Sequence, residues 1–314
     1  MKCQLRPFDA ATDYPRLLDL MSIVYADASG VDDLREEDNS RHPADIWLRL
    51  MALDELGAIS GTSSVWHPSW SQTGQFWLQI IVDPHRLGQG IGLMLYEAAL
   101  DFADRHGALL LDATIRDDDP RALCFAEMRG FHIERHIFES DLDVTSFDET
   151  PFINALASLL ASGITFTSYQ QVMDQPEAAL DLYNLHRETM HDVPGWEYGF
   201  PPFEEYKKQV LNGAWFLPEG TFIARHHDAW IGFVMLQQSP DPSYLIHTMT
   251  GVRRDYRGRR IGLALKLLAI RYARAHRIST LRAGNDSLNT PMMMINRKLG
   301  YQPSAGTYHL HKVL

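Results

Sequence analysis

A repeat at long period constrains this chain more than any other feature. Val82, Gly88, Ile91, Gly92, Leu93, Leu95, Ala99, Ala103, His106, Leu111, Ala113 and Gly130 recur without a gap, 170 positions later, as Val252, Gly258, Ile261, Gly262, Leu263, Leu265, Ala269, Ala273, His276, Leu281, Ala283 and Gly300. Two amphipathic helices share aliphatic residues by necessity. Their glycines are another matter, because they coincide in a turn before each helix and again before the aromatic pair Phe131 and Tyr301. A repeat of this kind has to be found before elements are assigned, since missing it misassigns the fold. The 314 residues, 45% of them hydrophobic, suffice for two cores at about 100 to 200 residues per domain.

Hydrophobic patterning reads each copy as one α/β unit. Buried strands at 77–82 and 245–252 run into Gly- or Arg-rich turns, helices follow at 93–106 and 263–276, and further strands at 109–115 and 278–283. Shorter helices are predicted at 121–129 and 291–299, the second with Pro291 at its first position behind Asn289 and Thr290. Upstream, each half has a strand (4–8, 164–170), a helix (14–25, 177–191) and a hairpin whose tight turn falls at 55–57 or 227–229. The expected organisation is a first domain over 1–146, a linker or helix over 147–162, and a second domain over 163–314.

Composition narrows the function. No apolar run of about 18 residues appears, and the first residues lack the basic-then-apolar layout of a signal peptide, so a protein without a membrane span is expected. Two cysteines, Cys3 and Cys124, are too few for a disulfide framework or a cysteine-based zinc site; a reducing cytoplasm and no metal are expected. The net charge of −11 argues against a nucleic-acid binder, yet it is unevenly spread. Residues 1–150 carry 12 Lys and Arg against 27 Asp and Glu, and residues 151–314 carry 17 against 13. An anionic ligand fits the second half better.

The paired turns carry the chemistry. In the first half Leu87, Gly88, Gln89, Gly90, Ile91 and Gly92 join strand to helix; in the second, Arg257, Gly258, Arg259, Arg260, Ile261 and Gly262 do so. Backbone N–H groups at a helix start converge on one point and, with the helix dipole, form an anion site. A dinucleotide fold is the competing reading. It expects an acidic residue at the end of the next strand, whereas Asp112 lies inside its strand and the second half has Arg282.

The turns resemble the acyl-CoA-binding motif of the GNAT acetyltransferase superfamily: Arg or Gln, two residues, Gly, one residue, Gly or Ala. That family's later motif has Asn, Ala three residues on, Tyr four further, then an aromatic after Gly. In this register stand Asp119, Ala122, Ala126 and Gly130-Phe131, and again Asn289, Met292, Asn296 and Gly300-Tyr301. The resemblance implies two tandem α/β (α+β) domains, each a mixed, mostly antiparallel sheet splayed at a central bulge and flanked by helices. It also implies acetyl-CoA as donor, with its pantetheine arm pairing along the strands that end at Val82 and Val252, and an amine attacking the thioester directly.

Both halves depart from the pattern. Leu87 stands where Arg or Gln is usual, and Arg260 where the first motif glycine belongs; helical φ/ψ at 260 would not need glycine. The arginines at 253, 254, 257, 259 and 260 match a polyphosphate, or form a solvated basic face. The family's acid Tyr is absent twice, leaving Ala126, which donates nothing, and Asn296, which can hydrogen-bond a sulfur. His247, whose counterpart at the same offset is Trp77, stands near the family's usual base; a packed histidine is the alternative. Asn285 and Asn289 fit coenzyme contact or helix capping equally. Glu197 and Tyr198, in an aromatic, proline-rich segment, fit a cationic acceptor or an ordinary stiff loop.

Two functions follow. One is an enzyme acetylating a primary amine of a small molecule or peptide, acting as monomer or homodimer without nucleic acid or membrane, with the second half catalytic. The other is a non-catalytic acyl-CoA-binding or regulatory protein.

Overall fold

The computed structural model describes residues 3–25, 30–196, 199–239 and 241–314. Contacts divide it into two compact units, residues 1–135 with 307–314, and residues 136–306.

The first unit runs β1 (Gln4–Pro7), α1 (Tyr14–Val24), α2 (Val31–Asn39), β2 (Ile46–Leu53), β3 (Ile59–His67), β4 (Gln75–Val82), α3 (Ile91–Arg105), β5 (Leu110–Arg116) and α4 (Pro120–Glu127). Beyond α4 comes β6 (His132–Asp143), which enters the second unit at residue 136. That unit continues with α5 (Ile153–Ala161), β7 (Ile164–Ser168), α6 (Ala178–Met190), α7 (Phe203–Tyr206), β8 (Phe222–His226), β9 (Ala229–Gln238), β10 (Tyr244–Val252), α8 (Ile261–Ala275), β11 (Thr280–Asp286), α9 (Thr290–Leu299) and β12 (Gln302–Val313). The repeated elements form where patterning predicted them, with no end shifted by more than three residues.

Each sheet is mixed. In the first unit the order is β1-β2-β3-β4-β5-β12, and in the second β6-β11-β10-β9-β8-β7; β4 with β5 and β10 with β11 are parallel, and the other pairs within a unit are antiparallel. The last strand of each unit comes from the other half of the chain. β12 pairs with β5 from Thr307 opposite Arg116 to Val313 opposite Leu110, and β6 pairs with β11 from Ile137 opposite Asp286 to Asp143 opposite Thr280. The units are therefore not the two halves of the sequence: 136–146 packs with the second, and 307–314 completes the first.

Equivalent helices cover equivalent cores. α3 buries Tyr96, Ala99 and Ala103 against Phe76, Leu78 and Leu111, with Leu310 of β12 in the same cluster, and Ile91 and Leu95 against Leu50 and Ala52. α8 buries Leu265, Ala269, Ile270 and Ala273 against Val234, Leu236, Leu245 and Leu281. The acidic sequence 27–45 reads mainly as a solvated face, and within it α2 is mostly exposed, burying Leu34, while Asp38 accepts from Arg49 at 2.6 Å and from Arg41 at 2.6 Å.

The opposite face of the second sheet holds an aromatic cluster around His186 of α6, with Phe200, Tyr206 and Phe233 at ring distances of 5.2 to 5.6 Å. Burial pushes the His186 imidazole down to about 4. Its folded pKa thus lies below the ordinary 6.5, so the unfolded chain binds the extra proton between pH 6.5 and 4 and stability falls as pH falls through that window. The loss approaches about 3 kcal/mol. His186→Phe is expected to shrink the drop in Tm between pH 7.5 and pH 4.5; an unchanged drop would place the acid sensitivity elsewhere.

Candidate active site

The two turns share one backbone. After β4 a 3-10 turn (Pro84–Arg86) leads to an extended Leu87 (φ −62°, ψ 153°), and after β10 one (Arg254–Tyr256) leads to an extended Arg257 (φ −68°, ψ 163°). Gly88 and Gly258 follow at φ +75° and +76°. Gln89 and Arg259 come next, then Gly90 at φ +81° and Arg260 at φ +66°, each the N-cap of its helix. Residue 260 is therefore left-handed rather than helical, which corrects the expectation that glycine is dispensable there: a side chain in this region costs about 1 to 2 kcal/mol. The first intrahelical bonds are Met94 N to Gly90 O and Ala264 N to Arg260 O, so the N–H groups of Ile91, Gly92, Ile261 and Gly262 lie in the unpaired first turn that binds anions.

Charge around the turns differs. In the first unit Arg16 pairs with Asp83, and Arg86 with Asp54 at 2.7 Å, leaving the exposed Leu87 at the motif's cationic position. In the second, Arg257 Nε donates to Val252 O at 2.9 Å, and its guanidinium pairs with Asp192, which also accepts from Arg254 Nε at 3.0 Å. Hydrogen bonds from Arg254 and Arg257 hold the Asp192 carboxyl down to about 2. Arg253 pairs with Glu188 at 3.2 Å, and Arg259 stacks on Tyr256 at 5.0 Å. Asp192 was not legible in the sequence, since it lies 62 to 65 positions from its partners.

Beyond the turns the parallel pairs open. β10 stays in register with β11 only from Tyr244 to His247, and β4 with β5 only from Gln75 to Trp77. β10 also carries a register shift against β9 between His247 and Met249, whereas β4 keeps even register with β3 from Trp77 to Val82. The bulge inserts one residue and reverses the faces that precede it. Leu245, opposite Leu281, corresponds to Phe76, opposite Leu111. His247 therefore corresponds to Leu78, not to Trp77, and it faces α8.

There it joins a buried polar cluster. His247 is 7% exposed and its ring stands 6.0 Å from that of Tyr301; Lys266 of α8, 1% exposed, places its ammonium 5.0 Å from the Tyr301 ring centroid. Asn296 of α9 donates to Asn285 Oδ1 at 2.8 Å, and Asn285 Nδ2 donates to Ser140 Oγ at 2.8 Å and Ala283 O at 3.0 Å. Burial, then the charge of Lys266, holds His247 well below the usual imidazole range; burial brings Lys266 down to about 7 and drives Tyr301 well above the usual phenol range. The cluster thus contains the predicted His247, Asn285 and Asn296 together with Lys266 and Ser140, which patterning missed. Lys266 was detectable: at the same offset its counterpart is Tyr96.

Other predicted residues lie apart. Asn289 caps α9, accepting from Met292 N at 3.3 Å, while Asn285 points inward. Val82 and Val252 end their strands beside the turns. Glu197 and Tyr198 lie outside the described residues. A cavity of about 520 Å³ in the second unit, lined by Phe166, Gln170, Glu219 and Tyr272 among others, contains none of the predicted residues. Among the described residues no helix is long and apolar enough to cross a membrane.

A left-handed strand-to-helix turn beside an opened parallel strand pair is thus built twice in one chain, once in each α/β unit. Over residues 14–131 and 179–301 the chain matches the acetyltransferase (GNAT) family. It belongs to that family and is an N-acetyltransferase. A protein named mycothiol acetyltransferase from Saccharopolyspora erythraea is 24% identical over 79% of this chain and 80% of its own length. One of the same name from Acidothermus cellulolyticus is 25% identical over 71% and 67%. Among solved structures, a tandem GNAT protein from the clavulanic acid biosynthesis pathway is 21% identical, with TM-score 0.57 over 99% of this chain and 98% of that one. A GCN5-related N-acetyltransferase from Sphaerobacter thermophilus is 18% identical, with TM-score 0.58 over 99% and 95%. At these identities the structural likeness is one of fold.

Proposed function

We propose that the second unit transfers an acetyl group from acetyl-CoA to a primary amine of a small molecule or peptide by direct attack in a ternary complex. The observation carrying this reading is the bulge in β10, which turns His247 into a buried polar cluster at the point where β10 and β11 part. On this reading the N–H groups from Gly258 to Gly262, with Arg257, Arg259 and Arg260, hold the diphosphate, and the strand end at Val252 receives the pantetheine arm. His247, neutral at pH 7, accepts the amine proton, and Asn296 hydrogen-bonds the sulfur. Alignment of the two substrates supplies much of the rate. The name shared by the two relatives favours a small-molecule acceptor of the mycothiol kind, and two free cysteines fit a reducing cytoplasm.

A second reading applies to the first unit. Gly90 keeps the left-handed turn open to a phosphate, but Leu78 and Ala126 replace His247 and Asn296, which favours coenzyme binding without turnover.

Free-thiol release from acetyl-CoA over a panel of amines tests the assignment. Arg257→Glu is expected to weaken coenzyme binding at least tenfold and to reduce turnover, and Asp192→Asn to tighten binding up to about fivefold by freeing an exposed ion pair. If Arg257→Glu changes neither while Gly90→Glu abolishes both, the active unit is the first.

A further inference from the structure

The first unit serves as an internal control for the second. The positions of His247, Lys266, Asn285, Asn296, Tyr301 and Ser140 correspond to Leu78, Tyr96, Ile115, Ala126, Phe131 and Leu310; Ser140 opposes Ala283 as Leu310 opposes Ala113. Five of those counterparts form one buried hydrophobic cluster, and Ile115 packs against it. In the first unit this place is hydrophobic but for Tyr96 Oη, and that hydroxyl has a partner, accepting from Lys312 at 2.7 Å. The second unit nevertheless leaves His247 Nδ1 and Nε2, Asn296 Oδ1 and Tyr301 Oη buried without a hydrogen-bond partner among the described residues. Each such atom costs about 1 to 3 kcal/mol, a penalty that polar atoms of a bound molecule would relieve. No carboxylate pairs with Lys266 among the described residues, so its charge too is uncompensated.

We propose that Lys266 donates the proton taken up by the departing coenzyme A sulfur, an inference that rests on the acyl-transfer reading above. The amine nitrogen forms its bond to the thioester carbonyl carbon, the carbon–sulfur bond breaks with its electron pair going to sulfur, and the Lys266 ammonium gives that sulfur a proton. His247 takes the proton of the new amide nitrogen, and neutral Lys266 regains its own from solvent. The two steps are coupled, because after burial it is the Lys266 charge that depresses His247, and its loss raises the imidazole's basicity when a base is needed. Groups facing Lys266 are His247 from β10 and Tyr301 after α9; Arg282 and Asp141, paired at 2.8 Å, lie beyond Tyr301 on β11 and β6. A Lys266 pKa of about 7 suits both halves of the exchange near neutrality.

Lys266→Met is expected to lower amine-dependent thiol release about 100-fold at pH 7. Its Tm should rise, most at pH 7 and least near pH 10, because a lysine with a folded pKa below its unfolded one makes wild-type stability climb with pH across that window. Lys266→Arg, charged throughout, should also lose rate and lose the alkaline limb of the pH profile. An amine-independent readout is the ultraviolet thiolate band of bound, unacetylated coenzyme A: wild type should hold about tenfold more thiolate at pH 7 than free coenzyme A, and Lys266→Met none of the excess. If no amine supports turnover while the Lys266-dependent band persists, the transfer reading fails and the lysine–sulfur contact stands. If wild type turns over and Lys266→Met changes neither rate nor band, or if coenzyme A does not bind, the proposal is overturned.

Discussion

Deleting residues 307–314 is expected to unfold the first unit and spare the second. These residues contribute the β12 pairing with β5 from Thr307 to Val313 and the buried Leu310, while Lys312 donates to Tyr96 Oη at 2.7 Å. Losing a buried leucine costs about 2 to 5 kcal/mol. Each lost ladder hydrogen bond adds about 0.5 to 1.5 kcal/mol. The total rivals the whole stability of a domain, about 5 to 15 kcal/mol. Hydrogen exchange resolved by segment is the measurement: protection at 110–116 should collapse while 280–286 stays protected. Retained protection at 110–116 would show that β12 is dispensable. A fragment ending at residue 146 should fail in the same way.

His247→Leu, which installs the first unit's residue in the second, is expected to cut thiol release at least about 100-fold, the usual contribution of a positioned base. The fold should tolerate it, since Leu78 packs at the equivalent place. Tm should rise, because two buried ring nitrogens without partners are removed. The acid limb should shift as well: His247 is depressed, so it destabilises the fold as pH falls below 6.5, and the variant should lose less stability on acidification. A variant as active as wild type would return His247 to the role of a packed core residue. One that fails to fold would sever the equivalence with Leu78.

The repeat made most of the architecture legible, because glycines in strand-to-helix turns and helical periodicity are local signals. Strand exchange is not local. β6 and β12 follow equivalent helices and meet equivalent edges, so a duplicated sequence holds little to say whether a strand closes its own unit or the other. The bulge at His247 was hidden for a related reason: the gapless match begins at Val82, after the inserted residue, and His247 was set against Trp77 by an offset that no longer held. The left-handed conformation of Arg260 follows from the turn shared with Gly90 and could have been inferred. Asn289 was ambiguous by residue type, and its side chain is spent on α9. Lys266, a charged residue on the inner face of an amphipathic helix, was visible in the pattern, but its meaning depends on what surrounds it.

The exchanged strand also sets a clock during synthesis. β5 meets its partner across 191 to 203 positions of chain. At about 5 to 20 residues per second, the ribosome needs roughly 10 to 40 s to make the intervening stretch, during which the β5 edge is complete and unpaired. An unpaired edge is a template for a neighbouring nascent chain. On a polysome, where copies of the same half-made unit crowd together, this protein should depend on chaperones more than its size suggests, and slower translation of the second half should lower its soluble yield.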